Sequence, residues 1–313
     1  HARHGFYSGA LGIIYTALEL GRIEQALNLL ESLSPDEVDR QGLDVISGSA
    51  GAIPVLLRIH QKYPGDSLMD LAVRHGERLL RTAHRNGEGW TWNTLSASAG
   101  RHLTGFSHGT AGIAWALLEL FRAVGNTEYR VAAGHALAYE RTEFSQMHRN
   151  WPDFRPMNER TPPGTGEPSY SVAWCHGAPG IGLSRLRAYS ILADDVCLAE
   201  AEIALATTMQ LLGAPALANQ NFSLCHGAGG NAELLIEAAV VLGRSNLRAA
   251  AENAGWYGIE TYLKARRPWP CGVVPGGETP NLMLGLAGIG HFYLRLCDPV
   301  KTPSVLIVRP VCT

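Results

Sequence analysis

No apolar run in this chain reaches the ~18 residues a membrane-spanning helix needs, because Arg, Glu, His or Gly interrupts each one first. No sign of charge is in excess either. The 26 Lys and Arg stand against 28 Asp and Glu, a net charge of -2, so there is no electrostatic case for nucleic acid. Cysteine is sparse. Six of them, at 175, 197, 225, 271, 297 and 312, lack the dense spacing of a disulfide scaffold and suit a reducing compartment, so the cytoplasm is expected. The first residues, His1 to Gly5, hold no apolar core, and no export signal is expected there. With 313 residues, 46% of them hydrophobic, the chain can bury a sizeable core. No shift of composition splits it convincingly, so one domain over 1–313 is expected.

What is abundant is glycine, 35 residues, and it is patterned. Six short clusters each open an apolar helical stretch: Ser8-Gly-Ala-Leu-Gly12, Ser47-Gly-Ser-Ala-Gly51, His108-Gly-Thr-Ala-Gly112, Cys175-His-Gly-Ala-Pro-Gly180, Cys225-His-Gly-Ala-Gly-Gly230 and Leu284-Gly-Leu-Ala-Gly288. Repetition of this kind marks a recurring supersecondary unit. The stretches after the clusters are nearly apolar all round, as an inner layer requires. Between them, 23–33, 67–83, 127–144, 196–212 and 246–263 have apolar residues at helical spacing with charges between, as half-exposed outer helices do. Alternating inner and outer helices mean stacked helical hairpins. Glycine at each inner start favours closure into an all-α, α/α toroid, by letting backbones approach around a crowded axis and freeing the first N–H groups to point inward. Three connections, 84–105, 146–171 and 266–281, read as long loops. The second contains Asn150-Trp-Pro-Asp-Phe-Arg-Pro156 ahead of Trp174-Cys-His176, and reads either as a segment overhanging that cluster or as a surface insertion with no role.

The chemistry-bearing residues sit at the clusters. Cys175 and Cys225 are too far apart for a local zinc knuckle, but they fit one ligand from each of two successive inner helix starts, where a helix N-terminus favours thiolate. Each triplet also carries a His, and spacing does not choose His226 over His176. Two Cys and one His make three protein ligands, and a fourth position left open marks a catalytic rather than a structural zinc site. Cys197, Cys271, Cys297 and Cys312 lack a neighbouring His and read as non-ligands. His60, His75, His84 and His135 read as surface residues among charges, and His291 as a packing residue.

These motifs resemble the lanthionine cyclases, over essentially the whole chain. The likeness rests on Trp174-Cys-His-Gly-Ala-Pro-Gly180, Cys225-His-Gly227 and Gly105-Phe-Ser-His-Gly109. The stretches Glu278 to Gly288 and Pro303-Ser-Val-Leu306 look most like the C-terminal cyclase domain of class II lanthipeptide synthetases, in which a dehydratase domain comes first. The resemblance implies a double α-toroid, usually with seven inner helices where six are counted here. It implies one zinc ion per chain on Cys175, Cys225 and His226, His108 as an active-site histidine, and Asp44 as the aspartate that orients it. The arginine that some members carry shortly before the first zinc Cys has no counterpart in Ser169 to Ala173.

The expected reaction adds a Cys thiolate of a dehydrated precursor peptide to the β-carbon of a dehydroalanine or dehydrobutyrine in the same peptide. His108, or His176 as a second candidate, then protonates the α-carbon. On sequence alone Asp44 reads equally as a helix cap ahead of Ser47-Gly48. Three other functions compete: a glutathione-handling relative of the same fold, a non-catalytic zinc-stabilised scaffold that holds a peptide, and a carbohydrate enzyme. The last would need paired acidic residues at the inner helix starts, which offer Asp44 and few others.

Overall fold

The computed structural model describes residues 4–87, 89–95, 101–155, 167–213, 215–274 and 277–310. The chain forms two compact units. The first comprises His1–Glu143, Asp153–Ser169 and Val308–Thr313, and the second Phe144–Pro152 and Tyr170–Ile307. In the first unit α1 (Ala10–Glu19) pairs with α2 (Ile23–Glu31), α3 (Ser49–Lys62) with α4 (Asp66–Thr82), and α5 (Thr110–Val124) with α6 (Thr127–Thr142), while α3 also packs on α5. In the second, α7 (Ala178–Leu192) pairs with α8 (Asp195–Leu212) and α9 (Ala228–Leu242) with α10 (Ser245–Gly258), which continues as a π-helical turn over Ile259–Lys264. There α9 packs on both α7 and α11 (Leu286–Cys297). Among the described residues, no helix is long and apolar enough to cross a membrane.

The helices that open on glycine clusters and those that return differ as the patterning requires. In α3, α5, α7 and α9 the first eight or more residues are buried almost without interruption, on every side. The return helices α4, α6, α8 and α10 bury one stripe only. The outermost opening helices, α1 and α11, depart from expectation, for they too bury a single stripe: Leu11, Ile14 and Leu18 in α1, and Gly288, Ile289, Phe292 and Arg295 in α11.

The glycines act differently from the expectation that they free the first amides. In α3, α5, α9 and α11 first-turn amides are engaged, donating to the carbonyl seven residues earlier. Gly51 N donates to Asp44 O (3.2 Å), Thr110 N to Leu103 O (3.1 Å), Gly230 N to Ser223 O (3.2 Å) and Leu286 N to Thr279 O (2.8 Å). The loop before each of these four helices therefore folds back over that helix's own first turn. A Cβ on Gly51 would land on the carbonyl oxygen of Val45, and one on Gly230 on that of Leu224. Gly12, Gly112 and Gly288 stand in the same relation to the carbonyl six residues before them. The close approach is local to each repeat.

Two further expectations are corrected. The stretch 84–105 is not all loop: His84–Asn86 and Gly89–Thr91 form an antiparallel hairpin, β1–β2, with His84 opposite Thr91. Gly87, at a φ of 49°, begins the turn after Asn86, and Gly89 lies against Tyr139, where a Cβ would fall 2.8 Å from that of the tyrosine. His75 is not a surface residue. It is fully buried and bonded to His4 and Ser49, and burial together with the neighbouring His4 pushes its pKa down to about 3. Among the other bland readings, His84 is exposed, His60 bonds the backbone of Gly65, His135 stacks on Trp90, and His291 meets the Pro303 carbonyl at 3.2 Å.

Candidate functional site

Counting back from the last glycine of each cluster gives the openings a common register. Four residues before that glycine stand Ser8, Ser47, His108, His176, His226 and Leu284. Five before stand Tyr7, Ile46, Ser107, Cys175, Cys225 and Met283. The three candidate histidines are thus one position in three repeats, and the two candidate cysteines are another. The main chain links neighbouring openings at this level. Tyr7 N donates to Ile46 O (3.3 Å), Cys175 N to Cys225 O (3.3 Å) and Cys225 N to Met283 O (2.9 Å).

In the first unit Asp44 and His108 meet. His108 Nδ1 lies 2.6 Å from Asp44 Oδ2, and the backbones join as well, Val45 N donating to Ser107 O (3.0 Å). The other carboxylate oxygen, Oδ1, accepts from Ser47 N (2.8 Å) and Ser47 Oγ (3.0 Å). The imidazole partnership of Asp44 is thus made by Oδ2, whereas the helix-cap reading is not met: Gly48 is the N-cap of α3, and Oδ1 instead ties the turn residue Ser47 ahead of it. The Asp44 side chain is 3% exposed and that of His108 23%, so the carboxylate is buried while the ring reaches the surface of its opening. A hydrogen bond to a carboxylate fixes Nδ1 as the protonated nitrogen in neutral His108. The Thr94 hydroxyl donates to the His108 carbonyl.

In the second unit stand Cys175, His176, Cys225 and His226. Both cysteines are free of disulfides and half-buried. Trp174, fully buried, anchors the first by donating Nε1–H to Leu306 O (3.1 Å). His176 is buried. Ser223 Oγ accepts from His226 N (3.4 Å), and Gly272 leaves the space the His226 ring fills, since a Cβ there would lie 2.9 Å from Nε2. Cys197, by contrast, is buried beside Asp194, and burial pushes its thiol up to about 12, as suits an inert residue. Cys312 lies outside the described residues.

The donor chemistry of Cys175, Cys225 and His226 fits a zinc ion, and the backbone places the two cysteines side by side. Among the described residues no three His, Cys, Asp or Glu side chains are gathered closely enough to hold a metal as they stand.

Sequence reasoning passed over the residues that shape these openings from a distance. Asn150, in the long loop before Cys175, is 1% exposed; its Oδ1 accepts from Ala178 N (2.8 Å) and its Nδ2 donates to Ser171 O (3.0 Å), so it caps α7 and holds the lead-in to Cys175. Residues 156–166 of that loop lie outside the described residues. Glu140 does the same for α5, its Oε1 accepting from Ala111 N (2.8 Å) and Gly105 N (3.1 Å). A signal exists for both: the opening helices carry glycine where the return helices α6 and α8 carry Asn126 and Asp194 as caps, so another segment must supply the acceptor.

The model of the family described as lanthionine synthetase C-like protein matches residues 1–307. The lacticin 481/lactococcin biosynthesis protein LcnDR2 of Lactococcus lactis subsp. lactis is 22% identical over 97% of the chain, which spans about a third of that protein (32%). Nisin cyclase superposes with a TM-score of 0.71 at 18% identity, over 97% of this chain and 80% of its own. A GH76 α-mannanase of Bacteroides thetaiotaomicron gives 0.54 at 14% identity, over 83% and 71%. The fold class expected from the repeats, all-α of the α/α toroid type, is the one shared with nisin cyclase.

Proposed function

The chain belongs to the lanthionine synthetase C-like family, and from that premise we propose that it closes thioether rings in a dehydrated, Cys-containing precursor peptide. In this reaction the S–H of a peptide cysteine adds across the C=C of a dehydroalanine or dehydrobutyrine. The S–C bond forms at the β-carbon, the π electrons pass to the α-carbon and its carbonyl, and a proton completes the α-carbon. Cys175, Cys225 and His226 are the residues that would hold one zinc ion per chain, and zinc when bound lowers the pKa of a thiol that joins it. The observation that carries this reading is the direct pairing of Cys175 with Cys225 at one register of two openings, each followed by a histidine.

His108 is the proposed acid. Its Nδ1–H is committed to Asp44, so the proton delivered to the enolate comes from Nε2 of the imidazolium, with Asp44 stabilising the cation before transfer. His176 is the second candidate. The expected partners are the dehydrated peptide and a dehydratase domain preceding this one in the whole protein; the expected location is the cytoplasm.

The deciding experiment is incubation with dehydrated Cys-containing peptides, followed by thiol alkylation and mass analysis, because ring closure leaves the mass unchanged. Cys225→Ala is expected to lose both zinc, measured by metal analysis, and ring formation. His108→Ala is expected to keep zinc and lose about 100-fold or more of turnover. Undiminished turnover in His108→Ala removes the acid assignment. A glutathione adduct in place of a ring, or a zinc ion with four protein ligands, overturns the cyclase reading in favour of a glutathione-handling protein or a scaffold.

A further inference from the structure

Asp44 sits on a loop, residues 41–48, that has no regular structure of its own, so its aim at His108 depends on what fastens that loop. The fastening comes from α4. Arg78, 8% exposed, donates Nη1–H to the Gly42 carbonyl (2.8 Å) and to Ser49 Oγ (3.2 Å), and Nη2–H to the Gln41 carbonyl. One planar guanidinium thus grips both ends of the loop at once. A buried histidine chain backs the same point. His75 Nδ1 meets Ser49 Oγ (3.0 Å), His75 Nε2 meets His4 Nδ1 (3.0 Å), and the backbone N–H of His4 donates to the Gln41 side chain (3.2 Å). Between the grips the loop crosses itself, with Gly42 bridged to Gly48 and Ser49 N donating to Gly42 O (3.0 Å). A cation buried against carbonyls has been taken out of water, and solvent-exposed Asp39 is its carboxylate partner, 3.9 Å from Nε. Anchoring α4 alone would not need it there, because that helix already buries Leu68, Leu71, Ala72 and Leu79.

We infer that Arg78 is a positioning residue for the Asp44–His108 couple: it sets the 41–48 loop so that Asp44 Oδ2 holds His108 Nδ1. This rests on the reading of His108 as the acid, and the geometry by which it acts can be measured apart from any turnover. Lysine at 78 keeps the charge and most of the stem, yet a single ammonium cannot span the two carbonyls and the hydroxyl as the guanidinium does.

The test combines imidazole 15N NMR of the whole chain with ring-closure kinetics on a dehydrated peptide. In the unaltered protein neutral His108 is expected to show a single tautomer with the proton on Nδ1. In Arg78→Gln and Arg78→Lys that signature is expected to collapse into a tautomer mixture, and kcat to fall about 10- to 100-fold with KM within about twofold. Asp39→Ala, which removes the exposed ion pair and leaves the grip, is expected to change neither. If Arg78→Gln proves unfolded by circular dichroism, Arg78→Lys decides. A folded Arg78 variant with the unaltered His108 tautomer and kcat within about twofold overturns the inference. If the unaltered protein closes no rings, the cyclase reading falls, and the tautomer still decides the role of Arg78.

Discussion

Asp44 shows how one residue serves the scaffold and the chemistry together. At the same register, seven residues before the last glycine, Ser223 accepts from the amide of His226 and Asn281 from that of Leu284, just as Asp44 accepts from that of Ser47. An amide or hydroxyl oxygen is enough for that structural task. What the acid adds is the second oxygen, which goes to His108. Asp44→Asn is therefore expected to keep the fold, with its amide oxygen on Ser47, while its NH2 faces His108 and forces the other tautomer; ring closure should drop about 10²–10⁴-fold with little change in melting temperature. Asp44→Ala should lose the Ser47 contact as well, costing a further ~1 kcal/mol in urea unfolding. Equal stability of the two variants would show that the Ser47 contact contributes nothing. The three histidines and two cysteines stand out in the sequence because a repeat register makes unlike residues comparable. Arg78, Asn150 and Glu140 do not, since each acts on segments 20 or more residues away in the chain.

Among the elements, the return helices are readable to within a few residues because charges interleave with an apolar stripe, although α10 stops at Gly258 and reaches its expected end only through a π turn. The β1–β2 hairpin escapes such a reading: each strand has three residues, too few for alternation to register. The glycines are conspicuous in sequence, yet their reason appears only in three dimensions, where the loop turns back over its own helix. Gly51→Ala is expected to destabilise the chain by about 1–3 kcal/mol in denaturant unfolding, as a methyl forced onto the Val45 carbonyl must. Gly134→Ala is the matched control. It lies in α6 with open space around it, and should stabilise by about 0.5–1 kcal/mol. A loss of stability there, equal to that at position 51, would remove the steric account.

For the molecule as a whole, the buried His4–His75 pair ties stability to acidity. His75 titrates near 6.5 when unfolded and near 3 when folded, held down by burial and faced by His4, Ser49 and Arg78. Its contribution is complete above about pH 6.5. As pH falls from there towards 3 the unfolded chain takes up a proton that the folded chain refuses, so stability should decline by about 1.4 kcal/mol per pH unit from this group. Urea titrations at pH 7 and pH 4.5 measure it, and His75→Gln should flatten the slope; an unchanged slope would mean that the acid sensitivity arises elsewhere. The alternation of two helix types is a property of the entire sequence and suffices to indicate the fold class. Placing His75 indoors is not possible on those grounds, because α4 shows its charges and hides a histidine among them. The main-chain fastening of the openings has one more consequence. Because backbone atoms tie Cys175 to Cys225 and Cys225 to Met283, these main-chain ties do not depend on which side chains occupy the stations, much as tools are swapped on a fixed rack. Met283 and Leu284, which occupy the stations of a cysteine and a histidine, are then vacant mounts where a designer could install a second set of ligands.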